Sequence, residues 1–323
     1  MSINRVESSA PGKLVLSGEY AVLAGAKAVV AAVDRRVVCS LQRRNKADWS
    51  FKSMGYVFES SHTLDELFRD LPDEDPARFI AHLSTPNALP RHAAVTIDSS
   101  PFYLHKQKLG IGSSAAVTVA LGKALAALDG HDLGVEQLQQ AHRTFQRGVG
   151  SGLDVAAAYR GGVIVYQNNQ AQTHGLDPNV HYGFVFAGES TQTSRMIARF
   201  NEWRGETTPA SLAALVSAAN GVAEASVKAN AFMTCMKDYI RALVQLDRDA
   251  QIGIFGPGHE AAMGLAERHG VLYKPCGAGG GDMGVAFSTE DEALARFKRD
   301  VEEQGLNVVR LEIADDGVQV RAG

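Results

Sequence analysis

The run Gly110-Ile111-Gly112-Ser113-Ser114-Ala115-Ala116 leads into a proline-free stretch rich in Ala, Leu and Val, so it opens a helix. Glycines there let the backbone approach a phosphate closely and gather several N–H groups in one concavity. The helix N-terminus adds partial positive charge at the same place. The hydroxyls of Ser113 and Ser114 could bond phosphate oxygens or ligate Mg²⁺, and Lys108, just ahead, could pair with a phosphate. No Gly-Lys-Ser/Thr closes the run, so it is not a Walker loop. Taken alone, a tight turn with Ser113 as helix cap explains it as well.

Three further segments carry chemistry-bearing residues. Gly277-Ala278-Gly279-Gly280-Gly281-Asp282 holds four glycines in five positions, a large conformational-entropy cost that a bland loop rarely needs. A flexible hairpin connection is the competing explanation. Gly148-Val149-Gly150-Ser151-Gly152-Leu153-Asp154-Val155-Ala156 holds one carboxylate among glycines and small residues. Asp154 could orient and deprotonate a hydroxyl, although on its own a turn or cap role explains it better. Lys13, in Ala10-Pro11-Gly12-Lys13, stands at the entrance to an apolar strand, where a lone lysine is ordinarily solvent-facing.

The elements that must position these residues read as two α+β halves. In the first, 28–33 and 37–41 are short buried strands, and 45–87 is a hairpin with peripheral helices. A buried helix follows over 115–128 with Ser113 as its cap. An amphipathic helix carries Val135, Leu138, Ala141 and Phe145, and 161–167 is a strand. The pattern restarts near 176 with a strand at 184–186 and three helices up to about Asp247, with Thr208-Pro209 supplying an N-cap and Pro at the first helical position. A helix over 258–269, a strand at 285–287, a helix from the capping box Thr289-x-x-Glu292, and strands at 308–311 and 318–320 complete it. Domains of 1–175 and 176–323 follow.

Composition narrows the partners. The formal net charge is −4, without the basic excess or basic run that tracking nucleic acid requires. Cys39, Cys235 and Cys276 are scattered and odd in number, which argues against a disulfide framework or a structural zinc. No stretch reaches the length of a membrane span, and the polar N-terminus lacks the apolar segment of a secretion signal. A cytoplasmic protein with no nucleic-acid or membrane partner is expected, as monomer or homodimer.

Together, Lys13, the Gly-Ser loop, Asp154 and the second glycine cluster resemble the GHMP kinases, a family that includes galactokinase and the homoserine, mevalonate and phosphomevalonate kinases. The resemblance spans nearly the whole chain: 10–33, 108–128, 148–167 and 274–287 fall in the family's order and spacing. Within the family the pattern is most similar to that of phosphomevalonate kinases. It carries Gly18-Glu19-Tyr20-Ala21-Val22-Leu23, with Tyr20 where mevalonate kinases usually have His. The lysine ahead of the Gly-Ser loop, the segment 149–157 and the cluster 277–282 point the same way. Glu189-Ser190-Thr191-Gln192-Thr193-Ser194-Arg195 resembles the family's Ser/Thr-rich substrate loop. There are departures. Ile111 replaces the commoner Leu, and the chain is short for a eukaryotic phosphomevalonate kinase. Arg143 stands eleven residues before Asp154, where mevalonate kinases carry a second Mg²⁺-ligating Glu.

The resemblance implies a two-domain α+β fold, with an N-terminal ribosomal-protein-S5-like domain and a C-terminal ferredoxin-like domain. It implies ATP and Mg²⁺ as cofactors and a small-molecule phosphate acceptor, 5-phosphomevalonate, with mevalonate, another small molecule or a non-catalytic nucleotide sensor as alternatives. Asp154 and Lys13 would be catalytic. Lys108, Gly110, Gly112, Ser113, Ser114 and Ala115 would bind the nucleotide, with Ser114 on the metal. Glu19, Tyr20, Ser151, Gly152, Thr193, Ser194, Arg195, Gly277, Ala278, Gly279, Gly280 and Asp282 would face the substrate.

Overall fold

The computed structural model describes residues 3–45, 48–148, 150–188, 193–205 and 208–323. They form two compact units, one of Met1–Lys13, Ala32–Gly162 and Ala314–Gly323, the other of Leu14–Ala31 and Val163–Ile313. Each unit is thus assembled from separate stretches, a division that one cut at 175/176 does not reproduce. The cause is strand pairing: near the C-terminus the chain returns to its first strand, with Val6 opposite Ala322 and Ser9 opposite Gln319.

In the first unit the sheet order is β14-β1-β2-β5-β3-β4. These strands are β1 (Arg5–Ser17), β2 (Ala28–Arg43), β3 (Trp49–Met54), β4 (Phe58–His62), β5 (Ala93–Asp98) and β14 (Gln319–Ala322). Strands β1 and β2 run on into the stretch counted with the second unit. β5 alternates buried Ala93, Val95 and Ile97 with partly exposed neighbours, the period of a strand with one covered face. A small hairpin, β6 (Tyr103–Leu104) with β7 (Gln107–Lys108), precedes the helices α2 (Ser113–Asp129), α3 (Val135–Phe145) and α4 (Leu153–Arg160); the one-turn α1 is Ile80–Leu83. α2 is buried on almost every side, from Ala115 and Ala116 through Val119, Leu121 and Leu125, as its unbroken apolar run requires.

The second unit contains β8 (Val163–Gln167) and β9 (Gln170–His174), with β8 pairing Ala28–Ala31 of β2. A four-stranded antiparallel sheet follows, in the order β11-β12-β10-β13. Its strands are β10 (His181–Phe186), β11 (Leu272–Pro275), β12 (Met283–Ser288) and β13 (Asn307–Val309), with helices α5 (Thr193–Arg204), α6 (Ala210–Ala225), α7 (Ala229–Ala250), α8 (Pro257–Arg268) and α9 (Asp291–Glu303). Val185, Ala286, Tyr273, Leu265, Leu294, Phe297 and Val301 share one core. No helix among the described residues is long and apolar enough to cross a membrane.

Three helix starts differ from expectation. Gly112, not Ser113, caps α2, because the chain enters that helix at φ 82°, a left-handed conformation that favours glycine. α6 is capped by Pro209 and begins at Ala210, one residue late. α9 begins at Asp291 after Glu290, because the Ser288 hydroxyl accepts the Glu290 N–H at 3.0 Å and forms the turn that Thr289 was expected to make.

Candidate active site

Lys13 meets the Gly-Ser loop directly. Its backbone N–H donates to the Ile111 carbonyl at 2.8 Å. Its side chain lies across Gly112, where an added Cβ would stand 3.1 Å from both Cγ and Cε of the lysine. Gly112 therefore does two things: it takes the positive φ that starts α2, and it leaves room for the Lys13 stem. Ser113 is buried and Ser114 half-buried in the first turn of α2, where backbone N–H groups have no intrahelical partner.

Asp154 is the second residue of α4, and Gly152 caps that helix at φ 82°. The Gln139 side-chain amide donates to the Gly152 carbonyl at 3.1 Å and fixes the entry to α4 from α3. The Asp154 carboxylate accepts the Val155 N–H at 3.0 Å and is 22% exposed, so it is anchored yet reachable.

The residue that joins these pieces is His142, which the sequence reading did not single out. Its Nε2 lies 3.1 Å from Ser114 Oγ, and its Nδ1 lies 3.9 Å from an Asp154 oxygen, beyond hydrogen-bond reach. Burial lowers the His142 pKa; Asp154 pulls it up and the Lys13 charge pushes it down again. The ring is accordingly neutral at physiological pH. Arg143 is its chain neighbour. The only advance signal was a histidine on the helical spacing of Leu138 and Ala141.

A second group lies in the other unit. Tyr20 donates its phenol proton to the Ala278 carbonyl at 2.7 Å, which ties 18–23 to the glycine cluster. Glu19, expected to face the substrate, is held inside the protein by two partners. Its carboxylate is 1% exposed and paired with the fully buried Lys274 at 2.6 Å, and its other oxygen accepts the Tyr239 hydroxyl proton at 2.5 Å. Burial, with Glu19 beside it, holds the Tyr239 phenol well above its ordinary pKa, so that group stays a donor. Both Glu19 oxygens are thereby used by the protein itself, a pairing that burial of either charge demands.

The remaining expected residues are placed as follows. Lys108 is exposed at the end of β7, and Ser151 and Gly152 precede α4 with Asp154. Thr193, Ser194 and Arg195 are exposed in the first turn of α5; the rest of that segment, 189–192, lies outside the described residues. Gly277, Ala278, Gly279, Gly280 and Asp282 form the connection from β11 to β12, where the Asp282 carbonyl accepts the Ala187 N–H at 3.0 Å. Among the described residues no three His, Cys, Asp or Glu side chains cluster to hold a metal.

Residues 77–162 match the family described as GHMP kinases N terminal domain. A phosphomevalonate kinase of Streptomyces sp. (strain CL190) is 27% identical over 86% of this chain and 88% of its own length. A mevalonate kinase of Aeropyrum pernix is 30% identical over 50% of this chain and 51% of its own. The solved Streptococcus pneumoniae phosphomevalonate kinase in complex with phosphomevalonate and AMPPNP superposes with a TM-score of 0.77 at 18% identity, covering 95% of this chain and 99% of that one. The chain thus carries a GHMP kinase N-terminal domain within the two-domain α+β fold of the GHMP kinases. Curated phosphomevalonate kinases and mevalonate kinases are both among its relatives.

Proposed function

We propose that this chain is an ATP-dependent small-molecule kinase that transfers a phosphoryl group to 5-phosphomevalonate and yields 5-diphosphomevalonate. The observation that carries the reading is the convergence of Lys13, the start of α2 with Ser114, and Asp154 inside one unit. Phosphoryl transfer asks a protein mainly for positioning and for charge opposite the transferring oxygens. The first-turn N–H groups of α2 and the Lys13 ammonium supply that charge, and Lys108 would add to it on the nucleotide side. The Asp154 carboxylate would orient the acceptor oxygen. An acceptor phosphate has a second pKa near 6, so it arrives largely deprotonated. Asp154 then positions more than it deprotonates.

Ser114 Oγ and the Asp154 carboxylate are hard oxygen donors of the kind Mg²⁺ takes, and Mg²⁺ is commonly held by one or two protein ligands plus substrate phosphates. The donor set fits. Bound there, the ion would neutralise charge developing on phosphate oxygens. Arg195, in the other unit, is exposed and carries a planar fork suited to a phosphate.

The site is tested by Asp154→Asn, which keeps the shape and removes the charge. Its kcat should fall at least about 100-fold, the scale of losing a preorganised electrostatic contact, with ATP affinity held within about threefold. A kcat within about threefold of wild type would remove Asp154 from the reaction. A second reading, with mevalonate as acceptor, is supported by the Aeropyrum relative. It differs chemically, since a hydroxyl acceptor requires proton removal and gives Asp154 the part of a base.

A further inference from the structure

The glycine connection between β11 and β12 follows a path open to few other residues. Gly277, Gly279 and Gly280 have φ of 67°, 82° and 85°, and a Cβ on Gly279 would stand 2.5 Å from the Ile254 carbonyl oxygen. A Cβ on Gly256 would stand 2.2 Å from the Gly280 carbonyl oxygen. The loop is thus laid backbone against backbone on 254–256, and the Gly280 N–H donates to the Ile254 carbonyl at 2.8 Å. So many glycines would leave an unsupported loop with many conformations.

Two side chains outside the loop supply the support. Asp247, in the last turn of α7, accepts three successive backbone N–H groups: Gly253 at 2.8 Å, Ile254 at 2.9 Å and Phe255 at 3.0 Å. One carboxylate thereby fixes the segment on which the loop rests. From another direction the Tyr20 phenol holds the Ala278 carbonyl. Tyr20 is itself over-determined. Its backbone takes φ 59° and ψ −41°, costly for a non-glycine residue. Its ring packs on Phe200 at 5.1 Å, and its neighbour Glu19 is locked to Lys274 and Tyr239. Burial, then the negative charges of Asp247 and Glu19, keep the phenol protonated, so it remains a donor to Ala278.

We propose that Tyr20 and Asp247 are positioning residues that hold the loop 277–282 in its binding shape from two sides. Tyr20 then acts through the loop, because its hydroxyl proton is already committed to Ala278. The functional half of the proposal rests on the reading that this loop receives the phosphorylated acceptor. A cradle fixed before binding spares the acceptor the cost of ordering it.

The test compares wild type, Tyr20→Phe and Asp247→Asn by hydrogen–deuterium exchange of the peptide spanning 274–284 and by steady-state kinetics with whichever of phosphomevalonate and mevalonate is the better acceptor. In both variants the peptide should exchange at least about tenfold faster, with the peptide covering 113–129 unchanged. The acceptor KM should rise about fivefold, the scale of one lost neutral hydrogen bond, while kcat and the ATP KM stay within about twofold. Protection in 274–284 equal to wild type overturns the proposal, and so does faster exchange with an unchanged acceptor KM. Should Asp247→Asn fail to fold, the near-isosteric Tyr20→Phe decides alone. If the wild type phosphorylates neither acceptor, the kinase reading fails, and the exchange measurement still decides whether the two residues hold the loop.

Discussion

Ser114 Oγ faces the buried Nε2 of His142 at 3.1 Å, so one bonding direction of that hydroxyl is used by the protein. In the tautomer that carries its proton on Nδ1, the neutral ring can accept the serine proton at Nε2. Burial is what keeps this arrangement, since it disfavours the charged ring that would lose its acceptor. His142→Ala should therefore lower kcat about tenfold, the size of one hydrogen bond to a reacting-site group, with the ATP KM changed by less than about threefold. His142→Gln, which keeps a polar atom on a similar stem, should recover part of the loss in the same assay. Unaltered kcat in His142→Ala would mean that Ser114 needs no orienting partner. Nothing in the local sequence announced this pair, because its members are 28 residues apart. Glu19 and Lys274, 255 residues apart, were hidden for the same reason: a carboxylate beside a glycine looks alike whether it meets a ligand or a buried lysine.

Helices α2 and α4 both begin at a glycine with positive φ, Gly112 and Gly152, and each carries a residue of the proposed site, Ser114 or Asp154, in its first turn. The helix α2 was legible from its long proline-free apolar run, whereas the sequence reading assigned no helix to 153–160 and took Asp154 as a turn or cap residue. Which residue caps α2 was not, since the cap depends on the backbone angle at which the chain arrives, and the Lys13 stem that lies over Gly112 comes from far away in sequence. The buried status of α2 was legible too, from a run with no polar face. Leu121 is fully buried in its middle. Leu121→Ala should destabilise the protein by about 2–5 kcal/mol, read by urea unfolding. A loss under about 0.5 kcal/mol, the scale of a surface change, would contradict the packing that holds the Ser114 end of this helix in place.

Over the whole molecule the sequence reading anticipated an α+β protein in two parts. Strand alternation, helical periodicity and the placing of glycines are all short-range signals. The exchange of segments between the parts was not visible in them. Leu14–Ala31 counts with the second unit, and Ala314–Gly323 returns to the first, because Val6–Ser9 and Gln319–Ala322 pair across the length of the chain. Lys13, bonded to Ile111, counts with the unit that holds Ser114, His142 and Asp154, while Glu19 and Tyr20, a few residues on, count with the unit of the glycine loop. The proposed reaction moves a phosphoryl group from ATP onto a phosphate that is already esterified. The measurement is ³¹P NMR of the wild-type protein with ATP, Mg²⁺ and either phosphomevalonate or mevalonate. With phosphomevalonate the phosphomonoester resonance should disappear as a second diphosphate pair grows beside that of ADP. With mevalonate at the same concentration, turnover should be at least about a hundredfold slower, as expected when a site built for a charged group is left unpaired. Faster phosphorylation of mevalonate, or no transfer to either acceptor, would contradict the account.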